Sequence, residues 1–425
     1  MQVLRPGSYG STVELLQLAL NRAGFGELET DGIFGAATRF ALMGFQRANG
    51  LAADGIAGAQ TQRALQPWYT GYLIHPLRRG ETLYSLSQRY GSPLEAILLA
   101  NPELVPERIP VGTQVVVPLP FDVVPVTISW SSDLVAFCVR GLAARYPFVT
   151  PGHIGSSVLG RPLWSLRLGA GENRVLYTAS HHANEWITTP LLLRFAEQLC
   201  AAFAAGESLG GASAAELLDH STLVLIPAVN PDGIDLVTGA LPQGAAYAQA
   251  LAIAAAYPRF PFPSGWKANI RGTDLNLQYP AGWEQAKINK AAQGIRSPAP
   301  ADYVGPSPLS APESRAMYAF TQSFSPDLTQ AWHTQGRVIY WRFLDHEPAG
   351  AQAIAESFAS VSGYAVDDAP YASGFAGYKD WFVQDFDRPG FTIEAGQGQN
   401  PLPLSQFEEI YRDALGILTL GLLAT

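Results

Sequence analysis

The stretch 178-TASHHANEWITTP-190 sets two imidazoles, His181 and His182, and a carboxylate, Glu185, into one short polar interruption. Histidine is scarce in this chain, seven among 425 residues, so a pair in one turn calls for a reason. RVLYTAS before it reads as a strand and ITTPLLLRF after it as the start of a helix, which makes HHANEW the turn between them. Turns at the carboxyl ends of strands face the crevice where α/β proteins hold ligands. His182-x-x-Glu185 is a spacing at which a short turn aims both groups at one point, and zinc accepts imidazole nitrogen and carboxylate oxygen at about 2.0–2.2 Å. A third donor comes from 328-LTQAWHTQG-336, another strand ending on a histidine, His333. A set of two histidines and one glutamate, with a fourth position left open, is a catalytic zinc arrangement. Amide hydrolysis at such a centre also needs a proton acceptor, and 390-GFTIEAGQG-398 supplies Glu394 as a lone carboxylate at the end of an apolar strand.

The elements that must position these groups follow from the apolar pattern. Hydrophobic residues make up 48% of the chain and charged residues 15%, enough for a large core, and the length predicts two or three domains. The runs RPLWSLRLG, NRVLYTAS, STLVLIPAVN, DLTQAWHTQG and GFTIEAG alternate with helical stretches such as 190-PLLLRFAEQLCAAFAAG-206. That alternation predicts an α/β domain with helices on both faces of a largely parallel sheet. Long loops rich in Pro and Gly, 256-AYPRFPFPSG-265 and 294-GIRSPAPADYVGPSPLSAP-312, lie where a site is commonly built. The net charge of −9 carries no basic stripe, which argues against a nucleic-acid partner. No apolar run approaches the roughly 20 residues of a membrane span. The N-terminus, MQVLRPGSYGSTVELLQLAL, lacks the pattern of a signal peptide. Cys138 and Cys200, both in helical segments, read as small buried apolar residues rather than as a disulfide or metal pair.

The front of the chain repeats itself. D-G-I-x-G-x-x-T occurs as 31-DGIFGAAT-38 and again as 54-DGIAGAQT-61, each copy a turn, a buried Ile and a helix start. Between them Phe40, Ala41, Gly44 and Phe45 fall at helical spacing, so a small three-helix bundle is predicted. 67-PWYTG-71 reads as a linker, and residues 72–120 as strand, helix, helix, strand.

Several of these patterns resemble known families. DGIFG…T, FQRANGL and ADGIAG…T over residues 1–66 resemble a peptidoglycan-binding-like helical domain. RRGETLYSLSQRYG, Ala100–Pro102 and IPVGTQVVVP within 72–120 resemble a LysM module. That resemblance implies a βααβ fold that binds N-acetylglucosamine-containing glycans through Gly80, Glu81, Thr82, Leu83, Asn101, Pro102 and Ile109. HHANEW, 230-NPDG-233, 274-DLN-276, AWHTQG, KDW and FTIEAG occur in the order of the zinc carboxypeptidase family, across residues 121–425. The family implies a mixed eight-stranded sheet between helices, one Zn2+ per catalytic domain, and amide hydrolysis by an activated water.

Carried onto this chain, the resemblance makes His182, Glu185 and His333 the metal ligands, with His181 the alternative register, and Glu394 the general base. Asp274 becomes the carboxylate that orients a zinc-bound imidazole, and Lys267 the cation at the scissile carbonyl, with Arg271 as the other candidate. Tyr371 approximates the family's mobile tyrosine. One departure stands out: where such carboxypeptidases have Asn-Arg gripping the substrate's terminal carboxylate, this chain has Asn276-Leu277. Leucine cannot pair with a carboxylate, so either Arg337 or Arg271 compensates or the substrate presents something else.

WKANIRGTDLN, Tyr303–Ser310, HTQGRVIYW, GYKDWF and EAGQGQNPLP resemble the γ-D-glutamyl-meso-diaminopimelate peptidase branch. The expected protein is therefore a bacterial cell-wall enzyme acting on the γ-D-glutamyl bond to diaminopimelate or lysine in peptidoglycan stem peptides. Its partners would be glycan strands and stem peptides, and its place the wall, or the cytoplasm and sporulation when no export signal is present. Rival expectations are a general or LD-carboxypeptidase, a catalytically silent wall binder, and a chitin-directed binder.

Overall fold

The computed structural model describes residues 2–424, which form two compact units, one ending at Pro151 and the other beginning at Gly152. The front unit opens with α1 (Ser11–Arg22), α2 (Ala36–Ala48), α3 (Ala59–Ala64) and α4 (Gln66–Thr70). The sequence repeat has a physical cause here. Gln17 Nε2 donates to Asp31 Oδ1 (2.8 Å), Ile33 O and Thr38 Oγ1, while its Oε1 accepts from Gly32 N (3.0 Å). Gln46 does the same with Asp54 Oδ1 (2.9 Å), Ile56 O, Thr61 Oγ1 and Gly55 N (3.0 Å). Each D-G-I-x-G-x-x-T turn is thus wrapped around one buried glutamine amide whose oxygen and nitrogen are both engaged. The Ile of each copy, Ile33 and Ile56, is exposed instead of buried, because its backbone, not its side chain, is what the turn uses. Ala41 and Phe45 of α2 are buried as the spacing predicts, but Phe40 points outward and its place in the core is taken by Leu42.

The presumed linker is a helix. Pro67 sits in the first turn of α4 and Gly71 ends it in the left-handed region at φ 78°, a start and a stop that composition alone reads as loop. Tyr69 in its middle is fully buried and stacks on Phe137 at 5.1 Å. The LysM-like segment follows as β1 (Tyr72–Pro76), α5 (Leu83–Tyr90), α6 (Leu94–Ala100) and β2 (Gln114–Pro118), the two strands antiparallel. Leu77, Leu83, Leu86, Ile97, Val115 and Val117 make its core.

The front unit closes with α7 (Ser132–Arg145), capped by Ser131 Oγ accepting from Leu134 N. Arg145 of α7 donates to Gly71 O and Leu119 O, both at 2.7 Å, and a Cβ on Gly141 would collide with Thr70 O at 2.1 Å. Residues 121–151, grouped by pattern with the catalytic region, therefore pack as part of the front unit. Cys138 in α7 is buried, and its thiol donates to Val123 O at 3.5 Å.

The second unit is built on an eight-stranded mixed sheet. Its strands are β3 (Thr150–Ser156), β4 (Pro162–Leu168), β5 (Asn173–Ala179), β8 (Ser221–Ile226), β9 (Leu328–His333), β10 (Val338–Tyr340), β11 (Ala365–Asp367) and β12 (Gly390–Glu394). β6 (Ser208–Leu209) and β7 (Ala212–Ser213) pair as a small separate hairpin. The order across the sheet is β11-β10-β12-β9-β5-β8-β4-β3. The central strands β8, β5, β9 and β12 run parallel, and β4 and β10 run antiparallel to their neighbours β8 and β12.

All five strands expected from the apolar runs are present, and β8 and β9 are buried along their whole length, as strands covered on both faces of a sheet should be. Leu176, Val224 and Ala331 face a core containing Tyr378 and Trp381. On the other face Tyr177 packs near Phe195 of α8 (Thr188–Ala205) and donates to Leu418 O. Cys200 of α8 is buried and free, as expected. Because β9 lies between β5 and β12, with His333 opposite Glu394 and Trp332 opposite Ala179, three strand ends open side by side.

Candidate active site

β5 ends at Ala179 and the chain turns through Ser180, whose φ of 53° lies in the left-handed region. That conformation is held by Ser180 N donating to Thr188 Oγ1 (3.1 Å) and by its hydroxyl bonding to Thr188 and Thr189. The turn is fastened from the far side by Asn230 of the NPDG motif, whose Nδ2 reaches His181 O, Lys267 O and Ala268 O. Asn230 Oδ1 accepts from Gly233 N, where any Cβ would stand 2.6 Å from that oxygen and 2.7 Å from the Ala183 side chain. NPDG is thus a clamp: it fixes the HHANEW turn against the Lys267 loop, and Ala183 N donates to Lys267 O (2.9 Å) to complete it.

The clamp directs the two adjacent histidines to different places. His181 turns under the sheet ends, bonds Tyr279 Oη at 3.2 Å and lies against Tyr378 and His333. Burial first, then neighbouring His333 and His182, hold its pKa well below the usual range. His182 instead faces Glu185 and His333, and among the described residues these three form the one group with metal-ligand donors, all within 4.8 Å of one another. His182 Nδ1 is 2.9 Å from Glu185 Oε1, His333 Nδ1 is 2.8 Å from Glu185 Oε2, and the two Nδ1 atoms are 3.2 Å apart.

The polar atoms here fit a cation. His182 Nε2 is 3.1 Å from Asp274 Oδ1 and donates to it. Burial opposes a charge on this ring, but Glu185 and Asp274 outweigh it and raise its pKa to about 9, so without an ion Nδ1 also carries a proton, which a metal would displace. Burial keeps His333 below the usual histidine range, hence neutral as a ligand must be. Burial resists the charge on Glu185, yet His182 and His333 outweigh it and keep the carboxylate ionised. Two inward nitrogens facing each other beside a carboxylate are a donor set that suits zinc. Asp274 is itself locked, accepting from Asn276 N (3.1 Å) and Asp302 N (3.2 Å).

Beside the three donors runs a cleft of about 230 Å³ lined by His182, Lys267, Asn276, Leu277, Tyr340 and Glu394, among others. Glu394 makes no side-chain hydrogen bond among the described residues. Burial, and then the charge of Glu185, push its pKa up to about 8. A carboxyl that gives up its proton reluctantly, poised in a cleft, is the electrostatic profile of an acid–base group. Lys267 Nζ lies 3.8 Å from Glu185 Oε1; burial works against its charge, but Glu185, Asp274, Asp302 and Glu394 together keep it protonated. Asn276 Oδ1 accepts from Tyr378 N (2.9 Å), and Leu277 forms part of the wall.

Other expectations are corrected by position. Arg337 is committed to Glu409 (3.1 Å) and Asp413 (3.0 Å) and lies over Tyr364. Arg271 is exposed and does not line the cleft. Neither stands in for the arginine that Leu277 replaces. The further cations lining the cleft are Lys290 and Lys379, which sequence pattern did not single out as site residues; Lys290 reads as an ordinary polar residue of a helix until the fold turns it inward. Tyr371 is 65% exposed, packs edge-on to Phe375, and lines an adjoining depression instead of the cleft.

In the LysM-like segment, Glu81 is spent on His75 (2.7 Å), Arg89 (2.7 Å) and Arg78 N. Asn101 is buried with its amide clipped to Ile97 O, Val116 O and Val116 N, and Leu83 belongs to the core. These three hold the module together, so they are not free to meet a sugar. Thr82 caps α5 in a capping box with Ser85 while remaining exposed, as do Gly80 and Pro102; Ile109 is half-buried.

With the geometry in place, comparison with known proteins is informative. Residues 136–416 match the zinc carboxypeptidase family, 9–65 a peptidoglycan binding domain, and 77–118 the LysM domain. The chain is 45% identical over 284 residues, 67% of its length and 70% of the relative's, to "Gamma-D-glutamyl-L-diamino acid endopeptidase 1" of Lysinibacillus sphaericus. It is 41% identical to the Bacillus subtilis protein YqgT, over 66% of this chain and 73% of that one. In fold it is similar to bovine thrombin-activatable fibrinolysis inhibitor (TM-score 0.54, 21% identity, covering 69% of this chain and 96% of that one). It is likewise similar to carboxypeptidase A from Helicoverpa armigera (TM-score 0.54, 17% identity, covering 90% and 84%).

Proposed function

The chain belongs to the zinc carboxypeptidase family and is a cell-wall zinc peptidase, and from that premise we propose that it hydrolyses the γ-D-glutamyl bond to the diamino acid of peptidoglycan stem peptides. His182, Glu185 and His333 would hold the ion. When bound, zinc supplies a Lewis acid that polarises the scissile carbonyl and lowers the pKa of a water.

Every other task falls to the chain's own side chains. Glu394, without a side-chain hydrogen bond among the described residues and lining the cleft, takes the proton of the attacking water and returns it to the leaving amine. Lys267 offers a positive charge to the oxygen on which negative charge develops, as a point charge without the bidentate fork of an arginine. Asp274 orients the His182 ring.

The observation that carries the specificity is Leu277 in the cleft wall. A free terminal carboxylate set against leucine in a half-dry cleft lacks the partner an exopeptidase provides, and the Lysinibacillus relative is named an endopeptidase for the γ-D-glutamyl–diamino acid linkage. Two wall-binding modules, at residues 1–66 and 72–120 ahead of the catalytic region, support action on polymeric wall or its fragments. Tethering raises the effective substrate concentration even when each module binds weakly. In the LysM module the residues left open for glycan are Gly80, Thr82, Pro102 and Ile109. Among the described residues no helix is long and apolar enough to cross a membrane.

The test is digestion of defined tri- and tetrapeptide stems, read by mass spectrometry with and without a chelator. Release of L-Ala-D-Glu, stopped by the chelator, is the expected result. Loss of a terminal D-Ala alone would mean a carboxypeptidase.

A further inference from the structure

Lys290 and Asp302 meet in the cleft wall by a route no local pattern announces. Lys290 comes from the helix Trp283–Ala292 and Asp302 from the long Pro/Gly loop, and Lys290 Nζ lies 2.7 Å from Asp302 Oδ1. The lysine is 94% buried by its relative exposure of 6%, yet it lines the cleft, and Asp302 is its one side-chain partner among the described residues. An ammonium has three donors and a carboxylate about four acceptor positions. One of each is used, so two N–H groups of Lys290 and the second oxygen of Asp302 stay open on the cleft side.

The aspartate is also held in an unfavourable conformation. Its φ of 69° lies in the left-handed region, which an L-residue adopts at a cost unless its surroundings impose it. What imposes it is visible: Asp302 N donates to Asp274 Oδ2, the carboxylate that orients His182. The pair is therefore fixed relative to the proposed metal ligands. Burying a lysine–aspartate pair brings little stability, since desolvation roughly cancels the attraction. A pair kept half-desolvated, strained and tied to the site is better explained by what it recognises.

We propose that Lys290 and Asp302 are specificity-determining residues that read a zwitterionic side-chain end, an ammonium and a carboxylate on one carbon, such as diaminopimelate carries and lysine does not. This rests on the γ-D-glutamyl–diamino acid reading above. Asp302 takes the ammonium and Lys290 the carboxylate, closing a ring of four alternating charges. Leu277 lines the same cleft and offers an apolar wall for the methylenes between backbone and charged end. The leucine that removes the family's carboxylate clamp and the ion pair thus serve one purpose, moving recognition from a chain terminus to a long charged side chain.

The experiment measures kcat/KM of the zinc-loaded, full-length enzyme on two stem tripeptides that differ only in meso-diaminopimelate or L-lysine. The parent should prefer diaminopimelate by about 100-fold, because a site built for paired charges strongly rejects the analogue that lacks one. Lys290→Met should reduce the preference below tenfold. Since that variant leaves Asp302 without its partner, the double variant Lys290→Met/Asp302→Asn, which leaves no unpaired charge, is measured with it, together with melting temperature and zinc content. Loss of the preference in a folded, zinc-replete double variant supports the inference. A parent that cuts both peptides equally, or a folded double variant that keeps the parent's ratio, overturns it while leaving the γ-glutamyl reading intact. A parent that cuts neither peptide overturns the γ-glutamyl reading, and the inference with it.

Discussion

The front repeat and the catalytic cleft both bury polar groups, and they treat them in opposite ways. Around Gln17 and Gln46 each amide oxygen and nitrogen is spent on the turn it supports, twice over with nearly equal distances. In the cleft the bonding is incomplete. Among the described residues His333 Nε2 is buried with no partner, the half-buried Glu394 makes no side-chain bond, and the facing Nδ1 atoms of His182 and His333 have only Glu185 and each other. Burying a polar group without a partner costs about 1–3 kcal/mol. A fold tolerates that where the missing partner arrives from outside. The difference teaches how to tell a structural motif from a working one: repeated, saturated bonding marks the first, and aimed, unsaturated bonding the second.

The sharpest way to break this comparison is at Glu394. Glu394→Gln keeps the shape and removes the proton acceptor, so turnover of a stem tripeptide should fall about 10³–10⁴-fold while zinc content is unchanged. A variant as fast as the parent would show that the unpartnered carboxyl is not the base. Next comes Asp274→Asn, which weakens the hold on His182 Nε2; metal affinity in a competition titration should drop about 10–100-fold. Unchanged affinity would mean that the contact with Asp274 does not tune the ligand.

On the saturated side, Gln46→Ala strands Gly55 N and removes the amide's bonds to Ile56 O and Thr61 Oγ1. It should lower the stability of the front unit by about 1–3 kcal/mol in denaturant titration, with hydrolysis of a short soluble peptide unaffected. Loss of peptide hydrolysis would mean that the repeat takes part in the chemistry.

The smallest effect concerns pH. Glu394 has a folded pKa raised from 4.5 to about 8 in the metal-free protein, so the folded state holds its proton more tightly than the unfolded one. That contribution to stability is complete below pH 4.5 and is lost as pH rises towards 8. The melting temperature of the metal-free parent should therefore fall relative to Glu394→Gln across that window. Zinc should shrink the difference by favouring the ionised carboxylate. A difference independent of pH would contradict the raised pKa.

The same contrast explains what could be read from sequence. The central strands are legible because a parallel strand covered on both faces is rich in apolar residues, as in STLVLI, and LTQAWH keeps enough of them around its buried Thr329 and Gln330 to show the same pattern. Strands β10 and β11, three residues each, carry no such signal, for they are ordered by pairing with neighbours far along the chain; β3, with its Pro and two Gly, lacks it too and is an edge strand beside β4. Pro67 and Gly71 suggested a linker, when one starts a helix and the other stops it. His182, Glu185, His333 and Glu394 were visible because strand ends put them at fixed places in the chain. Lys290 and Asp302 were not, because only the folded loop brings them together. In the LysM-like segment the motif residues Glu81 and Asn101 are tied into the fold by Arg89 and by Val116 O, a role that their positions in the sequence do not announce.

The most direct measurement is X-ray absorption at the zinc edge on metal-free protein titrated with zinc, for the parent and for His333→Ala. The account predicts one zinc per parent chain, with a shell of two imidazole nitrogens and carboxylate oxygen, and no tight zinc in the variant. A parent that takes up no zinc, or a variant that binds it as tightly with the same shell, would contradict it.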